Sequence, residues 1–242
     1  MIKLIFLLFL IPSLIYGGVY LDGVDDYVLV TNHASLNFGV GDFSCTAWFK
    51  INSISGYRGI ISKWDGVSGA GHEGWTVDTW NLAARIAFEI FGTDQDQMLS
   101  TNNSNDGLWH LVAAIRTGGV MYLYIDGNQE ATANNNQNVN NTRNLVIGRR
   151  YYNGQSWNGD LADVKVYNRA LTLAEIQSDM YRYTIPDSSC KGMWRLDEGK
   201  MDSAPGGVDC TDISGNGNHG TCTNMGGNED WVAGPPITPL LE

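Results

Sequence analysis

Short runs of alternating apolar and polar residues recur along most of the chain. In the segment FSCTAWFKI (43–51), Phe43, Cys45 and Phe49 alternate with Ser44 and Trp48. Because successive side chains of a strand point to opposite faces, this alternation is typical of a strand with one buried face. Similar segments, each bounded by Gly, Asn, Asp or Ser, span residues 58–64, 74–79, 84–91, 108–116 and 120–126. The pattern predicts an all-β protein, an antiparallel sandwich of two sheets.

A further strand is predicted around residue 165. Ala162, Val164 and Val166 alternate with other residues, so we assign these three side chains to the core face. Asp163 then lies on the opposite face, among residues that favour strands more than it does. We expect Asp163 to be either a solvated charge at an edge or a ligand held by a cation.

One short helix is predicted after this strand. Thr172 precedes Glu175 by three residues. This is the spacing of a capping box, in which each of the two side chains bonds the backbone N–H of the other residue. Leu173, Ile176 and Met180 would form the apolar stripe of that helix.

The N-terminal stretch has the pattern of a secretory signal. It contains one lysine, a short apolar run and a small residue, Gly17. The apolar run is too short to span a bilayer as a stable anchor. We therefore expect a signal peptide at residues 1–17, export of residues 18–242, and no membrane insertion after cleavage. An uncleaved N-terminal anchor is the alternative.

The net charge limits the classes of partner that the protein can bind, and the cysteine positions indicate a disulfide. The formal net charge is −11, and a negative surface repels nucleic acid while it suits neutral ligands or divalent cations. We therefore predict no nucleic-acid partner. In an exported chain, Cys210 and Cys222 bracket a loop short enough to be closed by one disulfide. The pairing of Cys45 and Cys190 stays open, since a buried free thiol is also a normal core residue.

Two segments are predicted as loops. The asparagine-rich run 134–141 is too polar to pack and is expected to be exposed. The segment RRYYNGQSW (149–157) concentrates arginine and aromatic side chains. Such a loop either stacks on and hydrogen-bonds a sugar or a protein, or folds as a rim over the core.

Several segments together resemble the laminin-G-like, concanavalin A-like jelly-roll family. They are DGVDDYV (22–28), FSCTAWFK (43–50), GLWHLVA (107–113), YLYIDG (122–127), LVIG (145–148) and GDLADVKVYNRALTLAEI (159–176). The resemblance implies two packed antiparallel sheets, export, and recognition of carbohydrate or glycoprotein. It does not imply one ligand, because one fold carries many functions.

The C-terminal part resembles the opening strands of the same family, although here these strands come last. The matching segments are MWRLDEG (193–199), DISGNGNHGT (212–221) and DWVAG (230–234). They either begin an unfinished second domain or fold back onto the first. We favour folding back, because a lone hairpin would expose Trp194 and Trp231 and leave the first sandwich with an open edge. This predicts one circularly permuted domain, with a main body at 18–183 and returning strands at 190–234.

Catalytic motifs are not found in the sequence. It has no E-x-D-x-E acid pair of the kind that retaining glucanases use, no G-x-S-x-G and no H-E-x-x-H. We therefore predict a non-enzymatic module that binds carbohydrate or glycoprotein. A structural or adhesive protein-binding module and a diverged glycan hydrolase or lyase are the alternatives, and the oligomeric state stays open.

Candidate ligand-binding residues combine rings for stacking with groups that bond hydroxyls. They are Trp64, Asp65, Asp78, Trp80, Arg150, Tyr151, Tyr152 and Trp157.

A structural Ca²⁺ is the one cofactor expected. By the family resemblance, Glu198 or Asp212 would meet Asp163 at a calcium site; alternatively, Asp212 caps its own turn. Acidic residues 22–26 are either turn formers or calcium ligands.

Overall fold

The computed structural model of the chain describes residues 17–53, 56–67, 69–80, 84–151, 154–181, 186–198, 210–225 and 231–236. Nearly all of the predicted signal segment and Tyr152 lie outside these ranges. Within them, no helix is both long and apolar enough to cross a bilayer.

The described residues form seventeen strands, one 3₁₀ turn and one α-helix. The strands are β1 Gly17–Asp22, β2 Tyr27–Val30, β3 Phe43–Ile51, β4 Arg58–Lys63, β5 Gly74–Trp80, β6 Arg85–Phe91, β7 Gln95–Asn103, β8 Trp109–Thr117, β9 Val120–Ile125, β10 Asn128–Asn134, β11 Leu145–Ile147, β12 Arg149–Tyr151, β13 Gly154–Ser156, β14 Asn158–Tyr167, β15 Cys190–Trp194, β16 Gly220–Thr223 and β17 Trp231–Ala233. The 3₁₀ turn spans Ala34–Leu36, and the helix α1 spans Leu173–Tyr181.

Two antiparallel sheets pack face to face, which confirms the predicted two-sheet sandwich with one short helix. The eight-stranded sheet runs β10-β9-β8-β3-β14-β1-β17, with β15 also paired to β14. The seven-stranded sheet runs β16-β2-β11-β4-β5-β6-β7, and β12 and β13 form a separate hairpin.

Strands from the end of the chain complete both sheets. In β15, Trp194 lies opposite Val164 of β14. In addition, β17 pairs with β1, and β16 pairs with β2. Because β3 occupies one side of β14, β1 and β15 lie one after the other along its other side. The C-terminal strands thus fold back into the sandwich, while the domain limits at residues 18, 183 and 190 stay predictions.

The alternation of β3 sorts its side chains between two cores, as predicted. Phe43, Cys45 and Phe49 lie in the main core between the sheets. Trp48 lies on the other face of the eight-stranded sheet, in a second cluster with Ile176 of α1. The same sheet therefore has the sandwich core on one face and the helix on the other.

A β-bulge corrects the assignment of β14. Val164 and Val166 lie in the main core as expected, but Ala162 lies in the second cluster. The register of β14 against β3 shifts between Ala162 and Lys165, and Asp163 has a positive φ of 47°. The extra residue reverses the alternation, which a regular pattern cannot anticipate.

Asp163 is not a solvated edge charge. Its Oδ2 lies 2.6 Å from Nζ of Lys165, which is fully buried and also pairs with Asp179 of α1. Thr46 donates a further hydrogen bond to Asp179. A buried ammonium between two carboxylates therefore holds α1 against the sheet.

The helix begins at the predicted capping box. The backbone N of Glu175 donates to Oγ1 of Thr172 at 3.3 Å, and the backbone N of Thr172 donates to Glu175 at 2.7 Å. Of the predicted stripe, Ile176 is buried, whereas Leu173 is exposed. Leu173 is the first residue of the helix and is not part of the second cluster.

Cys210 and Cys222 form the predicted disulfide, which connects β16 to the turn before it. Cys45 and Cys190 are free. They cannot pair with each other, because Cys45 lies in the main core and Cys190 lies in the second cluster on the opposite face of the sheet.

The polar strands β7 and β10 were not predicted, and the asparagine-rich run is not wholly exposed. Val139 of that run lies in the main core, and Asn135 is buried. Asn141, at the end of the run, accepts a hydrogen bond from Nζ of the buried Lys63. Because these segments are polar, the sequence pattern predicted neither the edge strands β7 and β10 nor the packing of the loop.

A chain that ends at Pro186 is expected not to fold cooperatively. It would lack β15, β16 and β17, so β14, β1 and β2 would each lose a paired neighbour. Limited proteolysis and thermal unfolding of the shortened protein, beside the full chain, provide the measurement. A protease-resistant fragment with a sharp unfolding transition would instead show that residues after 186 are dispensable.

Candidate functional site

The outer face of the seven-stranded sheet carries acidic side chains where solvent would be expected. Trp75 and Val77 of β5 lie in the main core, so the alternating residue Asp78 points outward. Glu89 of β6 likewise points away from the core that holds Phe88. Both carboxylates are nevertheless fully buried.

The β12–β13 hairpin buries this face. Its backbone lies directly on β4, because Gly59 has no side chain: a Cβ there would stand 2.1 Å from the backbone of Arg149 and Arg150. The segment predicted as a loop is therefore a hairpin folded over the outside of the sandwich.

Arg150 of the hairpin pairs with both carboxylates. Its Nε donates to Oδ2 of Asp78 at 2.6 Å, and its Nη2 donates to Oε1 of Glu89 at 2.9 Å. Gln95 donates to the other oxygen of Glu89, and Thr76 donates to Asp78. Arg150 is itself 8% exposed, so the whole group is nearly free of water.

One guanidinium cannot balance two buried carboxylates. Burial, and then repulsion from Glu89, raise the pKa of Asp78 well above its ordinary value, although Arg150 acts in the opposite direction. Oδ1 of Asp78 has no hydrogen-bond partner among the described residues. The group therefore favours holding one proton, on Asp78.

Aromatic rings surround the guanidinium of Arg150. It lies 4.6 Å from the ring centre of Tyr57 and 5.3 Å from that of Trp64. Tyr57 packs edge-on against Trp80 at 4.8 Å, and Trp64 packs edge-on against Tyr151 at 6.1 Å. We call Trp80, Tyr57, Trp64 and Tyr151 the aromatic strip.

The structure brings five of the predicted ligand-binding residues together. Trp64, Asp78, Arg150 and Tyr151 are linked by direct contacts, and Trp80 joins them through Tyr57. Whether they bind a ligand stays a prediction.

The individual roles of Asp78, Arg150 and Trp64 need correction. Asp78 and Arg150 bond each other instead of solvent, so they do not offer free groups to a sugar hydroxyl. Trp64 is 6% exposed, and its ring stacks on Phe91 at 3.7 Å. The partly exposed rings of Trp80, Tyr57 and Tyr151 are the accessible part of the strip.

Trp157 is a core residue. It is 1% exposed, and its ring packs edge-on against Phe49 at 5.9 Å. Its position in a polar, aromatic segment suggested a surface role, but Trp157 follows the hairpin and enters the main core. The ring therefore has no free face for a sugar.

Asp65, which follows Trp64 of the strip, bonds other residues of the protein. Its Oδ2 lies 2.8 Å from Nδ1 of His72 and 2.8 Å from Nη2 of Arg143. Its Oδ1 accepts a hydrogen bond from the backbone N of Val67. Asp65 thus organises the loop after β4, and Tyr152, the remaining predicted residue, lies outside the described ranges.

Tyr57 and Glu89 were missed in the sequence. Glu89 carried a usable signal, since it interrupts the apolar run RIAFEIF of β6. A charge inside a buried strand needs a partner. Tyr57 precedes β4 in a short glycine-containing turn, where no periodicity distinguishes a functional ring from any other.

Each of the predicted metal ligands bonds other groups of the protein. Oδ1 of Asp212 accepts from the backbone N of Met193, and Oδ2 accepts from that of Asn218, so Asp212 caps its own turn. Glu198 accepts from the backbone N of Thr211, and Asp163 pairs with Lys165. Calcium at these residues stays a prediction.

A different acidic group lies in the turn after β1. Three carboxylates meet there, because ligand atoms of Asp22, Asp25 and Asp26 lie within 4.8 Å of one another. Among the described residues, no other three His, Cys, Asp or Glu side chains come together in this way. The backbone N of Asp22 also donates to Oδ2 of Asp26, and that of Val24 donates to Asp22. The turn-forming role is therefore present in the structure, and calcium at this turn stays a prediction too.

The family model described as the concanavalin A-like lectin/glucanases superfamily matches residues 22–177. The chain therefore belongs to this superfamily, which confirms the resemblance. No curated protein is significantly similar in sequence.

Solved structures share the fold at low sequence identity. A candidate carbohydrate-binding protein from Bacteroides ovatus is 16% identical with a TM-score of 0.70; the match covers 92% of this chain and 61% of that one. The CBM40 of Ruminococcus gnavus IT-sialidase, bound to α2,3-sialyllactose, is 14% identical with a TM-score of 0.53, covering 67% and 95%.

Domain 4 of AbnA, an extracellular arabinanase from Geobacillus stearothermophilus, is a third similar structure. It was solved with arabinotriose and is 12% identical with a TM-score of 0.56, covering 66% of this chain and 75% of that one. The chain spans about three fifths of the Bacteroides ovatus protein. At these identities the likeness shows a shared fold.

Arg150→Met is expected to destabilise the protein far more than Asp78→Asn. Removing the guanidinium leaves the buried Glu89 carboxylate without a counter-charge and Asp78 without its partner, which costs about 3–5 kcal/mol of unfolding free energy. Asp78→Asn replaces a protonated carboxyl group by a neutral amide and keeps the Glu89 pair, so its effect is expected to stay within about 1 kcal/mol. Urea denaturation of both variants tests the difference, and equal losses would contradict the charge assignment.

The stability contributed by Asp78 is expected to fall as the pH rises. Its folded pKa lies above the unfolded value, so the folded state binds more protons between the two values. The unfolding free energy therefore decreases as pH increases through that window. Asp78→Asn should lose this part of the dependence, which unfolding curves collected from acidic to neutral pH would reveal.

Proposed function

We propose that the chain is a non-enzymatic carbohydrate-binding module that uses the outer face of its seven-stranded sheet. The observation that carries the proposal is the aromatic strip. Its ends, Trp80 with Tyr57 and Tyr151, are partly exposed, while Trp64 and Arg150 support them from below. Partly exposed rings supported by a rigid sheet suit the apolar faces of sugar rings.

Binding accounts for this face better than hydrolysis does. A retaining glycosidase needs two carboxyl groups that reach the glycosidic bond from opposite sides. Asp78 and Glu89 lie on neighbouring strands, but both are buried and bonded to Arg150. A substrate could reach them only by displacing the hairpin and exposing its ion pairs.

The similar structures support the same class of ligand. The Ruminococcus gnavus module was solved with sialyllactose, and the arabinanase domain was solved with arabinotriose. The disulfide between Cys210 and Cys222 supports an extracellular or periplasmic location, because such bonds persist in oxidising compartments. A glycoprotein partner would be bound through its glycans.

Binding is expected to depend on the exposed rings of the strip. A glycan array with the purified protein should identify a ligand, and Trp80→Ala and Tyr57→Ala should each weaken it about tenfold or more, equivalent to at least about 1.4 kcal/mol. Tyr124→Ala is the matched control, since this partly exposed ring lies on the eight-stranded sheet.

Three outcomes would contradict the proposal. One is the absence of glycan binding together with capture of a protein partner. Another is a loss of affinity in Tyr124→Ala equal to that in the strip variants. The third is release of reducing ends from a polysaccharide by the native chain.

A further inference from the structure

A polar pocket lies at one end of the sandwich, between the two sheets. Its volume is about 180 Å³. Residues from β7 of one sheet and from β8, β9 and β10 of the other line it: Asn102, Asn103, Ser104, His110, Ile125, Asp126, Asn128 and Glu130. Sites for drug-sized ligands occupy roughly 300–1,000 Å³, so this pocket suits one small ring.

Glu130 fixes the pocket wall that joins the sheets. Its Oε2 accepts hydrogen bonds from the backbone N of Thr101 at 2.8 Å and of Asn102 at 3.2 Å, and its Oε1 accepts from Nδ2 of Asn102. Three donors thus occupy the Glu130 carboxylate. The wall is built from bonds already made, so a ligand would enter a preformed shape.

His110 forms the opposite wall as an imidazolium. Its Nδ1 lies 2.7 Å from Oδ2 of Asp126, and its Nε2 lies 3.0 Å from Oδ1 of Asp106. Because both ring nitrogens face carboxylates, both carry protons. The bond to Asp126, opposed by partial burial and aided by Asp106, raises the pKa of His110 to about 9.

This charge pattern disfavours an anionic ligand. The three nearby carboxylates, Asp106, Asp126 and Glu130, outweigh the single imidazolium and repel an anionic sugar. Asn103 and Ser104 bring an amide and a hydroxyl group to the pocket. Such groups both donate and accept, as sugar hydroxyls do.

The pocket lies two strands away from Trp80, which is one end of the aromatic strip. Trp80 of β5 is in register with Arg85 of β6, and Arg85 is in register with Asn103 of β7, which lines the pocket. Two strand spacings, about 10 Å, separate Trp80 from Asn103. Neighbouring units of one glycan can therefore reach both.

We propose that this pocket holds the terminal, uncharged sugar of a glycan whose following units lie against the aromatic strip. The inference rests on the proposed glycan-binding function. It goes beyond that function in two respects: the pocket would recognise the end of a glycan chain, and it would exclude anionic sugars.

Titration of the ¹⁵N-labelled full chain with free sugars tests the proposal. The probes are glucose, galactose, mannose, xylose and arabinose, with N-acetylneuraminic acid as the anionic sugar. At least one neutral sugar should shift the side-chain amide signals of Asn102, Asn103 and Asn128. N-acetylneuraminic acid should shift none of them.

Matched variants assign the binding to the pocket. Asn103→Ala and Asn128→Ala should each weaken the neutral sugar at least tenfold. Asn134→Ala, the same change at the other end of β10, should bind as the native chain does. Trp80→Ala should keep the affinity for a free sugar and lose affinity for an oligosaccharide.

Different failures separate the two proposals. If no neutral sugar shifts the amides, or if Asn103→Ala binds normally, the pocket assignment is overturned while strip-dependent oligosaccharide binding survives. If free sugars enter the pocket but no oligosaccharide binds, both the glycan module and the chain-end role are overturned. Entry of N-acetylneuraminic acid would overturn the selection for uncharged sugars.

Discussion

Buried positive charge determines how the outer layers attach to the sandwich. A cation inside a protein must be matched by oxygen atoms, because losing its water is costly. Lys165 receives its carboxylates partly from α1, and Arg150 carries the β12–β13 hairpin to Asp78 and Glu89. Among the described residues, Lys63 donates to neutral oxygens of Asn32, Asn141 and Arg143, and burial lowers its pKa to about 8. The helix and the asparagine-rich loop are thus held by lysines on sheet strands, and the hairpin is held by its own arginine.

The same constraint shapes the candidate site. The outer face of the seven-stranded sheet would be an open acidic surface without Arg150. With it, the two acids become a support for rings, and only the ends of the strip meet solvent. The cost is that Asp78 and Glu89 are closed to direct contact with a ligand. The partly exposed rings at the ends of the strip are the part of this face that solvent reaches.

The sequence predicted the elements whose signals are local. Alternation in β3 and the Thr172–Glu175 capping box each involve neighbours a few residues apart, and the structure confirms them. The bulge at Asp163 was not predictable, since it depends on a backbone conformation that reverses an otherwise regular alternation. The edge strand β7 was missed because most of its residues are polar, with few apolar side chains such as Met98 in the core.

The candidate site was partly predictable for a similar reason. Arginine and aromatic residues are dense in the hairpin, and this composition predicted Arg150 and Tyr151 as ligand-binding residues. Their partners come from strands more than sixty residues earlier, and no spacing in the chain reports that Arg150 meets Asp78. The misassignment of Trp157 has the same origin, because composition does not tell which rings of a segment face inward.

The pairing of β1 with β17 has a topological consequence. Gly17 and Ala233 lie directly opposite each other, so the described chain enters and leaves the sandwich at one place. A short linker could join these positions, and new termini could be opened at the Asp126–Gly127 hairpin turn with every strand neighbour retained. The order of strands along the polypeptide is therefore separable from their order in space.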